Sequence, residues 1–207
     1  MPFSWLIPTY AVVAILYLAT PSTPFRGKAV VKATPILLLC LLIASSSSPV
    51  MPWVVLALLF SAAGDVALEV DGERLFIVGL AFFLIAHLFY VVALMQNITF
   101  LPIALVPLIL IGLIALLLTR RLLPKLGSLH IPVTLYISII VAMGVAAALH
   151  SPFNVLIVVG AIVFMLSDAT IAVHKFLQPV PRRDFVVMAT YYAAQFLLVM
   201  GFLFESS

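Results

Sequence analysis

Eight apolar runs, each about the length of a membrane-crossing helix, follow one another along this chain with only short connections between them. A lipid interior offers no water to hydrogen-bond a peptide group, so such runs must close their own backbone hydrogen bonds, and α-helices do this within a single segment. About 20 apolar residues are needed per crossing. The runs lie at about 4–20, 29–45, 52–70, 74–95, 100–119, 130–149, 153–175 and 184–204. With 66% hydrophobic and 8% charged residues, against about 25% charged in soluble domains, the expected fold is all-α. It is a polytopic membrane protein, a bundle of eight transmembrane helices forming a single domain over 1–207 with no soluble part.

The first run has no basic segment before it and is interrupted by Pro8, Tyr10 and Tyr17, so it reads as a retained helix rather than a cleaved signal peptide. The serines at 45–48, followed by Pro49 and Pro52, make a turn before a new helix. Cys40 is the lone cysteine and reads as a small core residue, with no internal disulfide available.

All ten Lys and Arg residues fall in or beside alternate connections: Arg26, Lys28 and Lys32; Arg74; Arg120, Arg121 and Lys125; and Lys175, Arg182 and Arg183. The bias places those ends in the cytoplasm and both termini outside. The basic residues lack the aromatic interleaving of a nucleic-acid surface, so no nucleic-acid partner is expected. The short loops point to a bacterial inner membrane.

Against this background Asp65, Glu69 and Asp168 are the informative residues, because each lies inside an apolar run. An ionisable group at membrane depth costs about 3 kcal/mol or more on insertion scales and usually faces a bundle interior, where it carries function. Asp65 and Glu69, four residues apart, share one helix face. Asp65 is six residues before Asp71, about 9 Å at the helical rise, and Asp168 precedes Lys175 by a similar distance. Both aspartates are therefore expected near the boundary of headgroups and acyl chains, in the cytoplasmic half.

Other polar residues gather toward the same half: Lys32, Tyr136, Tyr191, Tyr192 and Gln195. Deeper in the fourth run, His87 and Tyr90 form a stripe with Phe83 and Leu94 at helical spacing. These supporting residues are read as lining a polar cavity with Asp65 and Asp168. Each also has a plainer reading. The aspartates are candidates for structural ion pairs with Lys32 or Lys175, Glu69 for a solvated position that tunes Asp65 by repulsion, His87 for a packing residue, the tyrosines for core aromatics, and Gln195 for an interhelical hydrogen bond. A faint duplication joins Gly64-Asp65 to Ser167-Asp168 about half a chain later. No metal site is expected, since of four histidines only His87 is clearly internal. No serine elbow or phosphate loop is present, and no cofactor is called for.

The stretches KATPILLL, FSAAGDVALE with FIVGLAFFLIAHLFYVVAL, GAIVFMLSDATIAVHKF and YYAAQFLL, in that order, resemble the YhhN family of membrane proteins, whose animal members are lysoplasmalogenases. The resemblance implies an eight-helix membrane hydrolase. Its substrate would be a lysophospholipid bearing a vinyl ether, cleaved to a fatty aldehyde and a glycerophospho-alcohol. The family's aspartates in the G-D and S-D motifs fall on Asp65 and Asp168, the expected catalytic pair. Lys32, Arg74, Arg182 and Arg183 lie where cations would meet a lipid phosphate or, more simply, anionic membrane lipids. A proton-coupled transporter of a small molecule or lipid is the alternative use of the same aspartates, and passive lipid binding is a third.

Overall fold

In a computed structural model of the chain, residues 5–19, 25–46, 49–70 and 72–205 are described. The ends of the first apolar run, at 4 and 20, and serines 47 and 48 lie outside them. Eight α-helices account for the described structure: α1 Leu6–Leu18, α2 Lys28–Ala44, α3 Met51–Glu69, α4 Glu73–Leu94, α5 Leu105–Leu122, α6 His130–Leu149, α7 Val155–Phe176 and α8 Arg183–Glu205. They correspond one to one with the eight apolar runs. The protein is all-α and a multi-pass membrane protein, with no named strand among the described residues.

From α3 onward, six helical segments are long and apolar enough to cross a bilayer. The helix α2 is 17 residues long and carries Lys28 and Lys32 in its first turns, while α1 has 13 described residues. Local chemistry sets the helix ends. Gly27 takes φ 87° at the start of α2, a left-handed conformation that costs glycine little. Asn154 caps α7 by accepting a 3.0 Å hydrogen bond from the Leu156 amide. Pro35 lies inside α2, where it brings no amide hydrogen for the carbonyl one turn back.

The fifth helix departs from the sequence reading. The expected run at 100–119 becomes a 3-10 turn at Pro102–Ala104 followed by α5 proper, which continues to Leu122. Arg120 and Arg121 lie in its last turn rather than in a loop. Two causes combine: Pro102 favours a turn at the entry, and cations are favourable against the partial negative charge of a helix C-terminus.

The chain divides into two compact units, residues 1–93 with 202–207, and residues 94–201. In the first, α2 packs antiparallel on α3, α1 packs on α2, and α3 meets α4 at a glycine-lined crossing. A Cβ on Gly64 would lie 2.7 Å from ring carbons of Phe83, and one on Gly79 would lie 2.6 Å from Leu68 and 3.5 Å from the Gly64 carbonyl. Small residues allow such an approach, and close van der Waals packing holds helices together where lipid removes the hydrophobic drive.

In the second unit, α5 packs on α6 and α7, and α6 on α7. The segment after α4 is stitched to the α6–α7 connection: the Thr99 amide donates to the Leu149 carbonyl at 2.9 Å, the Ser151 amide donates to the Asn97 carbonyl at 3.0 Å, and His150 Nδ1 lies 2.9 Å from the Leu94 carbonyl. These bonds satisfy loop backbone groups that would otherwise be costly to bury. Among the six long spans α8 is the most enclosed and α5 the most exposed. The exposed side chains of α5, including Val106, Ile109, Leu113 and Leu117, form an apolar face suited to acyl chains.

Candidate functional site

In the first unit the site builds from two helices with matched charge spacing. Lys28 and Lys32 are four residues apart on α2, and Asp65 and Glu69 are four residues apart on α3. Because the helices run antiparallel, the pairs meet rung by rung. Lys28 Nζ lies 2.9 Å from Glu69 Oε1, while Lys32 Nζ lies 3.9 Å from Asp65 Oδ1 and 3.7 Å from Glu69 Oε2. Asp65 is 1% exposed and Lys32 7%. Both belong to the interior rather than to a solvated rim.

Glu69 therefore differs from the solvated position considered for it. Its carboxylate is engaged by both lysines, with the side chain 17% exposed. The repulsion expected between Asp65 and Glu69 is offset, since the Lys32 ammonium is within 4 Å of both. The ion-pair reading of Asp65 holds geometrically.

On α4 the expected stripe is a buried face: Phe83, Ala86, His87, Tyr90, Ala93 and Leu94 are all buried. His87 Nδ1 lies 2.6 Å from the Phe83 carbonyl one turn back. As a donor to that carbonyl the ring is held against its own helix, and the packing reading of His87 gains a named partner. Tyr90 is fully enclosed.

In the second unit Asp168 meets Tyr136. The Tyr136 hydroxyl donates to Asp168 Oδ2 at 2.5 Å, joining α6 to α7. Next to Asp168, the Ser167 hydroxyl donates to the Val187 carbonyl at 3.0 Å and so joins α7 to α8. On α8, Tyr191 and Tyr192 lie with ring centroids 5.6 Å apart, and Tyr191 meets Phe164 of α7 edge-on at 5.5 Å. Gln195, one turn on, is fully buried.

The structure thus brings together Lys32, Asp65 and Glu69 in one cluster, and Tyr136 with Asp168 in another. Two contributors were not singled out from the sequence. Lys28 reads there as a topology signal at the edge of a run, although its spacing from Lys32 matches that of Asp65 and Glu69. Ser167 reads only as a small residue before an aspartate, and its bond to Val187 has no local signature. Of the rim cations, Arg183 is paired with Asp184 at 2.7 Å on the protein's exterior.

Each carboxylate therefore has a polar neighbour on the adjoining helix, Asp65 the Lys32 ammonium and Asp168 the Tyr136 hydroxyl.

Residues 27–202 match the YhhN family. The chain is 29% identical over 212 residues to lysoplasmalogenase TMEM86A of Bos taurus, an alignment spanning 95% of this chain and 87% of that protein. It is 35% identical over 182 residues to lysoplasmalogenase TMEM86B of Homo sapiens, spanning 84% and 74%, and 33% identical over 164 residues to a lysoplasmalogenase of Mycobacterium bovis, spanning 73% and 60%. No solved structure matches the chain at a significant level.

Proposed function

The chain belongs to the YhhN family, and on that premise we propose that it is a membrane-embedded hydrolase of the lysoplasmalogenase type. Its substrate is a lysophospholipid, lysoplasmenyl-ethanolamine or lysoplasmenyl-choline, whose vinyl ether it cleaves to a fatty aldehyde and a glycerophospho-alcohol. The observation that carries the reading is the similarity, over most of the chain, to relatives named lysoplasmalogenases.

The chemistry suits buried carboxylates. Hydrolysis begins when a proton adds to the alkenyl β-carbon, leaving an oxocarbenium-like cation. Water attacks that cation and loses a proton, and the resulting hemiacetal collapses to aldehyde and alcohol. One carboxylic acid supplies the first proton; one carboxylate stabilises the cation and takes the proton from water, the division of labour seen when paired carboxylates hydrolyse glycosides. Asp65 and Asp168 fill these two roles. Their positions support this, since Asp65 lies about one turn from the end of α3 and Asp168 about two turns from the end of α7. The vinyl ether of a lysolipid lies beside its glycerol, near the headgroup boundary. In this orientation the basic helix ends face the cytoplasm of a bacterial inner membrane and both termini face outward.

The test is aldehyde release from lysoplasmenyl-ethanolamine by purified protein with a chelator present, alongside Asp65→Asn and Asp168→Asn variants that fold equally well. Release by the wild type and its loss in both variants supports the hydrolase. No release from several lysolipids would sink it and favour proton-coupled transport by the same aspartates.

A further inference from the structure

The exposed face of α5 changes character along its length. Two neighbouring rows of side chains run down it at helical spacing, Leu113, Leu117 and Arg121 in one and Ile109, Leu116 and Arg120 in the other. All six are exposed. Between Ile109 and Leu116 the second row is broken by Gly112, where an added Cβ would meet nothing within 4 Å. The face is thus an apolar surface with a notch, and it ends on two guanidinium groups.

A third cation stands beside them. The chain leaves α5 through a 3-10 turn at Leu123–Lys125, and Leu122 and Leu126 are buried in one cluster with Val133, against which Phe176 packs. These anchors tie the turn to the second unit and keep the exposed Lys125 beside the helix end. No Asp or Glu occurs between Glu73 and Asp168, and among the described residues Arg120, Arg121 and Lys125 take part in no ion pair. The partial charge at the C-terminus of α5 offsets only about half of one unit charge. Elsewhere Lys28 contacts Glu69 at 2.9 Å and Arg183 pairs with Asp184 at 2.7 Å. Membrane orientation requires basic residues on one side but no particular neighbours for them. Cations that continue the rows of a notched apolar face go beyond that requirement.

The matching ligand has an anionic head and an apolar chain continuous with it. Phosphate suits the head, because guanidinium groups bind it through paired hydrogen bonds. Gly112 is eight residues from Arg120, about 12 Å at the helical rise, within the roughly 15 Å that is half the hydrocarbon core. We propose that the arginine end and notched face of α5 form a seat for an anionic phospholipid of the surrounding membrane. Its headgroup lies on Arg120, Arg121 and Lys125, and an acyl chain lies in the notch at Gly112. The seat belongs to the second unit alone and is independent of the hydrolase reading.

The experiment titrates purified protein in mild detergent with phosphatidylglycerol or phosphatidylcholine of identical acyl chains and follows bound lipid by native mass spectrometry. The wild type binds the anionic lipid about tenfold or more tightly than the zwitterionic one. Replacing both Arg120→Gln and Arg121→Gln abolishes that preference, whereas Arg182→Gln with Arg183→Gln, which removes the same charge at the start of α8, leaves it in place. Gly112→Leu fills the notch and loses affinity for the anionic lipid with every cation retained. Equal binding of the two lipids by the wild type overturns the proposal, as does equal loss in the two glutamine pairs, which would reduce the effect to net charge. Unchanged binding by Gly112→Leu also overturns it, since the face would take no part. A dimeric wild type that binds no lipid and becomes monomeric with Gly112→Leu overturns it in favour of a second copy of the chain. Should the Arg120 and Arg121 double variant fail to insert, Lys125→Gln and Gly112→Leu are read in the same way.

Discussion

The Tyr136 hydroxyl donates a 2.5 Å hydrogen bond to Asp168 Oδ2, so one phenol on α6 sets where an α7 carboxylate sits. Phenylalanine at 136 would keep the ring and its packing and remove that bond. A hydrogen bond between membrane helices contributes about 0.6 kcal/mol on average, so Tyr136→Phe should lower thermal stability only slightly. If Asp168 carries a proton to substrate, loss of that bond should cost much more in rate, about tenfold to a hundredfold, since a displacement of about 1 Å is enough for such a loss. Melting curves and kcat measured together test this. A lower melting temperature with unchanged kcat would reduce the contact to a helix tie.

The eight helices were legible because lipid leaves a chain so few options: an apolar run of the right length must close its own hydrogen bonds. Where a boundary slipped, a particular residue was responsible. Pro102 opens a 3-10 turn ahead of α5, and Arg120 and Arg121 read as loop punctuation although they close the helix. The site was legible only where its geometry was local. Asp65 and Glu69 share a face by their spacing alone, and the buried stripe of Phe83, His87, Tyr90 and Leu94 follows from the helical repeat. Which lysine meets which carboxylate depends on the register between α2 and α3, and the partnership of Tyr136 with Asp168 on that between α6 and α7. No single-helix periodicity encodes either register.

The rung formed by Lys28 and Glu69 is expected to behave as a coupled pair. Lys28 and Glu69 are in contact and mostly shielded from solvent, so Lys28→Met and Glu69→Gln should not add. A double-mutant cycle read by unfolding should give a coupling of about 0.5 kcal/mol or somewhat more, within the usual range for residues in contact. Strict additivity would mean that the α2–α3 register is held by packing alone, for instance where Cys40 approaches the Val55 carbonyl.

Gly64 immediately precedes Asp65, and the site a Cβ would occupy is already filled by the Phe83 ring at 2.7 Å. Valine there would push α4 from α3 or force the Phe83 ring to turn. Overpacking of this kind costs about 1–3 kcal/mol. Because Phe83 also offers its carbonyl to His87, the disturbance should reach beyond the contact itself. Gly64→Val is expected to reduce folded yield and to lower activity per folded molecule, as measured by size-exclusion recovery and aldehyde release. Wild-type values for both would show that the α3–α4 crossing can relax without moving Asp65.

At the α7–α8 crossing, shape should matter more than hydrogen bonding. A Cβ on Gly160 would stand 3.1 Å from the Leu198 amide nitrogen and 3.2 Å from the Ala194 carbonyl oxygen, and these are backbone atoms that cannot rotate away. Two turns along α7, the Ser167 hydroxyl makes its 3.0 Å bond to Val187 on the same pair of helices. Ser167→Ala deletes one hydrogen bond, worth about 0.6 kcal/mol in a membrane protein, and leaves the helices at the same separation. Gly160→Leu must separate them, at about 1–3 kcal/mol or more, and in doing so strains the packing of Tyr191 on Phe164. The leucine variant is therefore expected to melt well below the alanine variant. If the order were reversed, the Ser167 bond rather than close glycine packing would be the principal tie between α7 and α8, and Asp168 would be held in place chiefly through its neighbour.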